Sequence, residues 1–144
     1  MSWQSTASGL EDEYIHAAAI AWLVGDEDVV EIERMDSYHG SPIHLIKAEL
    51  KRRGPATRSL SLLGSDVLEH IKNELELRMD EHNVIHIRLD LLDLLAGKLT
   101  LTTPGTRATV KGKAKLEVYP GNEPIDVAMS TLNEAISNSR VRSP

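Results

Sequence analysis

Apolar positions along the chain follow two rhythms. In Val84–Leu89 apolar and polar residues alternate one for one, the period of a half-buried strand. Ile85, Ile87 and Leu89 point one way, His86 and Arg88 the other. Arg107–Tyr119 repeats this over a longer stretch: Val110, Gly112, Ala114, Leu116 and Val118 share one face, and Lys111, Lys113, Lys115 and Glu117 share the other. Weaker alternation predicts strands over Val29–Met35, Ile43–Lys51, Thr57–Leu63 and Leu99–Thr103. Ile43–Lys51 also carries helix signals, with Ser41-Pro42 before it and Gly54-Pro55 after it. The alternation of His44, Ile46, Ala48 and Leu50 with Lys47, Glu49 and Lys51 favours the strand.

Helical spacing governs three other segments. Leu10–Val24 has Ser8 and Glu11 as a capping box, acids in its first turn and Gly25 as a stop. Residues 66–82 place Leu68, Ile71, Leu75 and Met79 on one face, with Asp66 and Glu69 as a second capping box and Glu74–Arg78 as an i,i+4 pair. Ile125–Ile136 carries Val127, Met129, Leu132 and Ile136 as its apolar positions. Leu91–Gly97 fits either a strand continuation or a short helical turn. The resulting order is α-β-β-β-α-β-β-β-α. Short turns between strands imply mainly antiparallel pairing, so the expected fold is an α+β two-layer sandwich. The polar residues 1–9 read as a flexible arm, 10–137 as one domain and 138–144 as a polar tail.

Composition narrows the chemistry. A chain of 144 residues, 41% of them hydrophobic, builds one core. With no Phe that core is aliphatic, and with no Cys there are no disulfides, thiolate metal sites or cysteine nucleophiles. No apolar run approaches the ~18 residues of a membrane span, and Met1–Thr6 lacks the features of a secretory signal. The expectation is a cytoplasmic protein without a membrane partner.

The net charge of −6 is distributed in blocks: residues 1–36 carry −8, 37–64 carry +4, 65–97 carry −5 and 98–144 carry +3. An acidic protein repels phosphate at long range, which makes nucleic acid an unlikely partner. Alternating blocks suit segments that attract one another within or between subunits.

Candidate chemistry is sparse. His82 and His86 have metal-binding spacing for a helix, but a strand begins near Val84 and separates their faces. Glu49-Leu50-Lys51 with Asp26 or Asp28 upstream resembles the sites of restriction-type nucleases, which implies carboxylates on a divalent metal and a lysine positioning water. No Gly-x-Ser-x-Gly or Gly-rich phosphate loop is present. No catalytic residue, metal or cofactor is therefore assigned. The remaining signal is basic: Lys111, Lys113 and Lys115 on one strand face, with Arg53 and Arg58 at a neighbouring turn. No aromatic residue interleaves with them, so base stacking finds no support there.

The stretch Val84–Val118, with Ile-His-Ile-Arg-Leu, Asp-Leu-Leu-Asp-Leu-Leu-Ala-Gly-Lys-Leu and Val-Lys-Gly-Lys-Ala-Lys-Leu, resembles the latter half of sterol-carrier-type lipid-binding domains. The resemblance covers about a quarter of the chain. It implies a strand, a short helix, a Gly-Lys turn and a closing strand around an apolar tunnel. The element order also looks like that of type III secretion chaperones, which implies a homodimer that wraps a client segment. These observations make the first expectation a non-enzymatic, protein-binding adaptor, chaperone-like or inhibitor-type, acting as a homo-oligomer through an exposed sheet face or edge. Lys111, Lys113, Lys115, Arg53 and Arg58 are its partner-binding residues. The alternatives are a lipid or small-molecule carrier and a metal-dependent nuclease.

Overall fold

The computed structural model of the chain describes residues 1–36, 40–103 and 108–142, the last three of these as backbone only. Along the chain run β1 (Ser2–Ser8), α1 (Glu13–Val24), β2 (Glu31–Asp36), β3 (Pro42–Glu49), α2 (Arg53–Ser61) and α3 (Gly64–Asn73). They are followed by α4 (Leu75–Arg78), β4 (Val84–Asp90), α5 (Leu91–Leu95), β5 (Thr109–Lys115) and α6 (Pro124–Arg142). The strands form one sheet in the order β2-β3-β1-β5-β4, and every pairing is antiparallel. The fold is α+β, as the alternation implies. No helix among the described residues is long and apolar enough to cross a membrane.

Burial shows which face the helices cover. Trp3, Ser5, Ala7, Ile46, Ala48, Ile85, Ile87, Leu89, Val110, Gly112 and Ala114 are buried, and the residues between them on the same strands point the other way. The inward set joins Ile20 and Leu23 of α1, Leu60 of α2, Leu68 and Ile71 of α3, and Leu132 and Ile136 of α6 in one aliphatic core around Trp3. The opposite face of the sheet contains no buried residue from Ser2 to Ser8, from Pro42 to Glu49 or from Thr109 to Lys115.

The element order differs from the expected one at both ends and in the middle. Residues 1–9, expected as an arm, supply the central strand β1, paired with β3 from Ser2↔Glu49 to Ser8↔Ile43 and with β5 from Ser2↔Lys113 to Gln4↔Lys111. Its inward positions are Trp3, Ser5 and Ala7, two of them too small to give an apolar rhythm. The strand is pinned by side chains. Trp3 Nε1 donates to Ser59 Oγ at 2.8 Å, and that hydroxyl donates to the Leu23 carbonyl at 2.5 Å. Ser5 Oγ lies 2.6 Å from Nδ1 of buried His16, whose Nε2 donates to Glu11 at 2.9 Å. Burial opposes ionisation of Glu11, but the His16 bond and the Ser8 amide outweigh it and hold the carboxyl below its ordinary range.

Thr57–Leu63, expected as a strand, lies mostly in α2. Pro55 sits in its first turn, where a missing N–H costs nothing. The period-2 pattern is a coincidence of Ser59 and Ser61, both buried because their hydroxyls bond backbone carbonyls, Leu23 and Thr57 respectively. Helix α1 starts at Glu13 with Asp12 as cap, so Ser8 and Glu11 form a turn ahead of it rather than the helix cap. Residues 66–82 form two short helices, α3 and α4, rather than one. Leu99–Thr103 gives one isolated bridge, Leu101↔Leu89. The tail 138–144 is helical as far as Arg142. Within the expected turn 36–42, residues 37–39 lie outside the described residues.

Candidate functional site

The candidate surface is built from the outward positions of β5 and its neighbours. Gly112 and Ala114 are inward and buried, which sets Lys111, Lys113 and Lys115 outward and exposed, as expected from alternation. Register then places other strands' residues beside them, because directly paired residues share a face. Arg88 of β4 and Gln4 of β1 flank Lys111, and His86 and Ser2 flank Lys113. Lys47 of β3 lies beyond Gln4 in the same row. Successive lysines on β5 are about 7 Å apart along the strand.

Ion pairing divides this face. Among the described residues, no carboxylate lies within 4.0 Å of the ammonium groups of Lys111, Lys113 or Lys115. Lys47 pairs with Glu33 at 2.9 Å, a bond that raises its pKa. Glu31, Glu33 and Glu49 make the β2–β3 side acidic, so the cations without a carboxylate partner among the described residues concentrate on β5 and β4, beside the uncharged β1. At the start of β4, His86 Nε2 donates to Asp80 at 2.7 Å.

Arg53 and Arg58 do not join this face, because Arg58 belongs to a helix and not to a paired strand. Arg53 opens α2 and bonds Glu134 of α6 at 3.3 Å. It lines a groove of about 730 Å³ at the end of the sheet, where Lys115 is also a wall. Thus the structure brings Arg53 and Lys115 to one groove, whereas Arg58 lies exposed in the last turn of α2. Sequence reasoning assigned no role to Arg88, His86, Gln4 or Ser2. The alternation of 84–89 already set Arg88 and His86 on one side; only the pairing of β4 with β5 shows that this side is the lysine side.

The two histidines with metal-binding spacing take different partners. His82 reaches Glu81 at 3.6 Å while His86 turns to Asp80. Asp28 lies in a 3-10 turn and Glu49 ends β3. No group of three or more His, Asp or Glu side chains among the described residues is placed to hold a metal ion. In 84–118 the inward side chains of β4 and β5 are packed into the core rather than around a tunnel.

Fold and surface together define a small α+β protein with helices on one side of its sheet and, on the other, an open surface that is cationic along β5 and β4 and acidic along β2 and β3. A family model described as RNA binding matches residues 7–116, most of the chain, and the chain belongs to that RNA-binding family. Among solved structures, it is similar to a DUF54 protein of Methanothermobacter thermautotrophicus, with 27% identity, a TM-score of 0.72 and coverage of 94% of this chain and 95% of the other. A DUF54 protein of Archaeoglobus fulgidus is similar at 26% identity and TM-score 0.71, covering 93% and 96%. A UPF0201 protein of Methanococcus jannaschii shares the fold at 12% identity and TM-score 0.59, covering 91% and 90%. No curated protein matches.

The family overturns the first functional expectation. A protein-binding adaptor with nucleic acid as an unlikely partner does not agree with membership of an RNA-binding family. The likeness to secretion chaperones, which implied a protein client, falls with it. The acidic net charge argued against phosphate, but it does not show that strand pairing sets Lys111, Lys113 and Lys115 beside Arg88 on the open face.

Proposed function

We propose that the protein binds RNA through the open face of its sheet, with Lys111, Lys113 and Lys115 contacting phosphates and Arg88 beside them. The observation that carries this reading is the row of three exposed lysines on β5, none with an ion-pair partner among the described residues, in a chain of an RNA-binding family. Phosphate contacts from lysine supply affinity without sequence information. The role is binding rather than turnover. Arg53 extends the cationic path toward the groove at Lys115.

The test is fluorescence anisotropy with a labelled RNA hairpin carrying a single-stranded tail. The variant replaces Lys111, Lys113 and Lys115 with alanine. All three side chains are exposed, so the fold persists, which circular dichroism checks. The affinity is expected to fall about tenfold or more at low salt. An unchanged affinity places the interface elsewhere.

A further inference from the structure

We infer that the RNA taken by this face is double-helical and is recognised by its backbone rather than by its bases. The inference rests on the RNA-binding reading above and names the substrate class of the same surface.

Three observations carry it. The first is the absence of a stacking platform. Sheets that take single-stranded RNA present aromatic side chains on which bases stack. Here Trp3, the large aromatic of the described strands, is fully buried on the core side. Tyr14 and Trp22 belong to α1, and Tyr119 lies beyond β5 with its hydroxyl donating to Glu117 at 3.0 Å. Among the described residues the outward strand positions carry no Phe, Tyr or Trp, and the imidazole of His86 is held by Asp80 at 2.7 Å.

The second is what that face carries instead. Lys111, Lys113, Lys115 and Arg88 are donors to phosphate, and Gln4 and Ser2 sit between the lysines and β3 with side chains able to bond ribose hydroxyls. Phosphates and 2′-hydroxyls are what an A-form duplex displays across its wide, shallow minor groove.

The third is dimension. The lysine row is about 13 Å long, and β1, β5 and β4 span about 10 Å, so the cations form a compact patch rather than a long single-strand track. The acidic β2–β3 side limits the footprint, because Glu31 and Glu33 face the same way and repel a second phosphate row there.

The experiment uses the full chain and three labelled probes: a 20-nucleotide RNA without self-complementarity, its complement, and the duplex of the two. Kd is measured by anisotropy under one salt condition. The duplex is expected to bind at least tenfold tighter than either strand, and K113E is expected to weaken the duplex and leave the circular dichroism spectrum unchanged. A smaller preference, or one for a single strand, overturns the duplex assignment while RNA binding stands. No binding to any probe overturns the RNA reading itself. Undiminished duplex binding by K113E removes the duplex from this face.

Discussion

Trp3 lies flat against Gly112, and this contact decides what either position tolerates. A Cβ built on Gly112 falls 2.5 Å from Trp3 Cζ3 and 2.8 Å from Cε3 and Cη2. The ring has nowhere to retreat, since it is fully buried and tied to Ser59. Glycine is therefore required here by close approach rather than by backbone angle. Gly112→Ala is expected to destabilise the fold by about 1–3 kcal/mol, the range for overpacking a close-packed core. Urea unfolding followed by tryptophan fluorescence measures it, and an unchanged midpoint would mean the ring does not sit where it is placed. The same glycine holds Lys111 and Lys113 outward on either side of it, so packing on the core face and charge on the open face are set by one stretch of five residues.

Among the elements, β4 shows how a local turn delivers a strand to the site. Asp80 accepts from the amides of His82 at 2.8 Å and Val84 at 3.1 Å and from His86 Nε2 at 2.7 Å. Asn83 takes the left-handed conformation, φ 62°, that closes the turn. The His86 bond, with the two amides and against desolvation, brings the Asp80 carboxyl down from 3.8 to about 2. A depressed folded-state pKa contributes stability above the unfolded value and loses it as pH falls toward the folded one. The wild type is therefore expected to lose more stability between about pH 4 and pH 2 than Asp80→Asn, which keeps an acceptor but does not titrate. Urea midpoints at pH 5 and pH 2.5 compare the two, and equal acid losses would refute the turn's role. Strands β4 and β5 were legible in the sequence because their inward residues are apolar and their outward ones charged. Strand β1 was not, because Ser5 and Ala7 hide its inward face. Helix α2 was misread because buried serines mimic alternation, and that misreading carried Arg58 into a patch it does not join. The lysine row was visible, but its neighbours Arg88 and Gln4 depend on a strand order that periodicity does not contain.

At the scale of the whole molecule, a net charge of −6 and the proposed RNA-binding face are reconciled by segregation. Acids crowd the entry to α1 (Glu11, Asp12 and Glu13), the 3-10 turn after it and β2, while β5 carries three cations without a carboxylate partner among the described residues. Long-range repulsion orients the approach of RNA, and attraction acts within about 10 Å, one Debye length at moderate salt. This separation has a measurable signature. If each β5 lysine displaces a counterion from a phosphate, log Kd depends linearly on log salt, and each contact contributes about 0.7–0.9 to the slope. Replacing Lys111, Lys113 and Lys115 with alanine is then expected to flatten the slope by about 2–3, measured by anisotropy between about 50 and 200 mM salt. The control is Lys72→Ala on α3, where the ammonium bonds Asn133 of α6 at 3.0 Å and lies on the helical side. It removes a positive charge without touching the open face, so it is expected to leave the slope as it is. Parallel slopes for the triple variant and the wild type would mean that the lysines act through net charge or folding rather than by touching phosphate. A flattening caused equally by Lys72→Ala would mean the same. Only a loss of slope confined to β5 ties the affinity to this face.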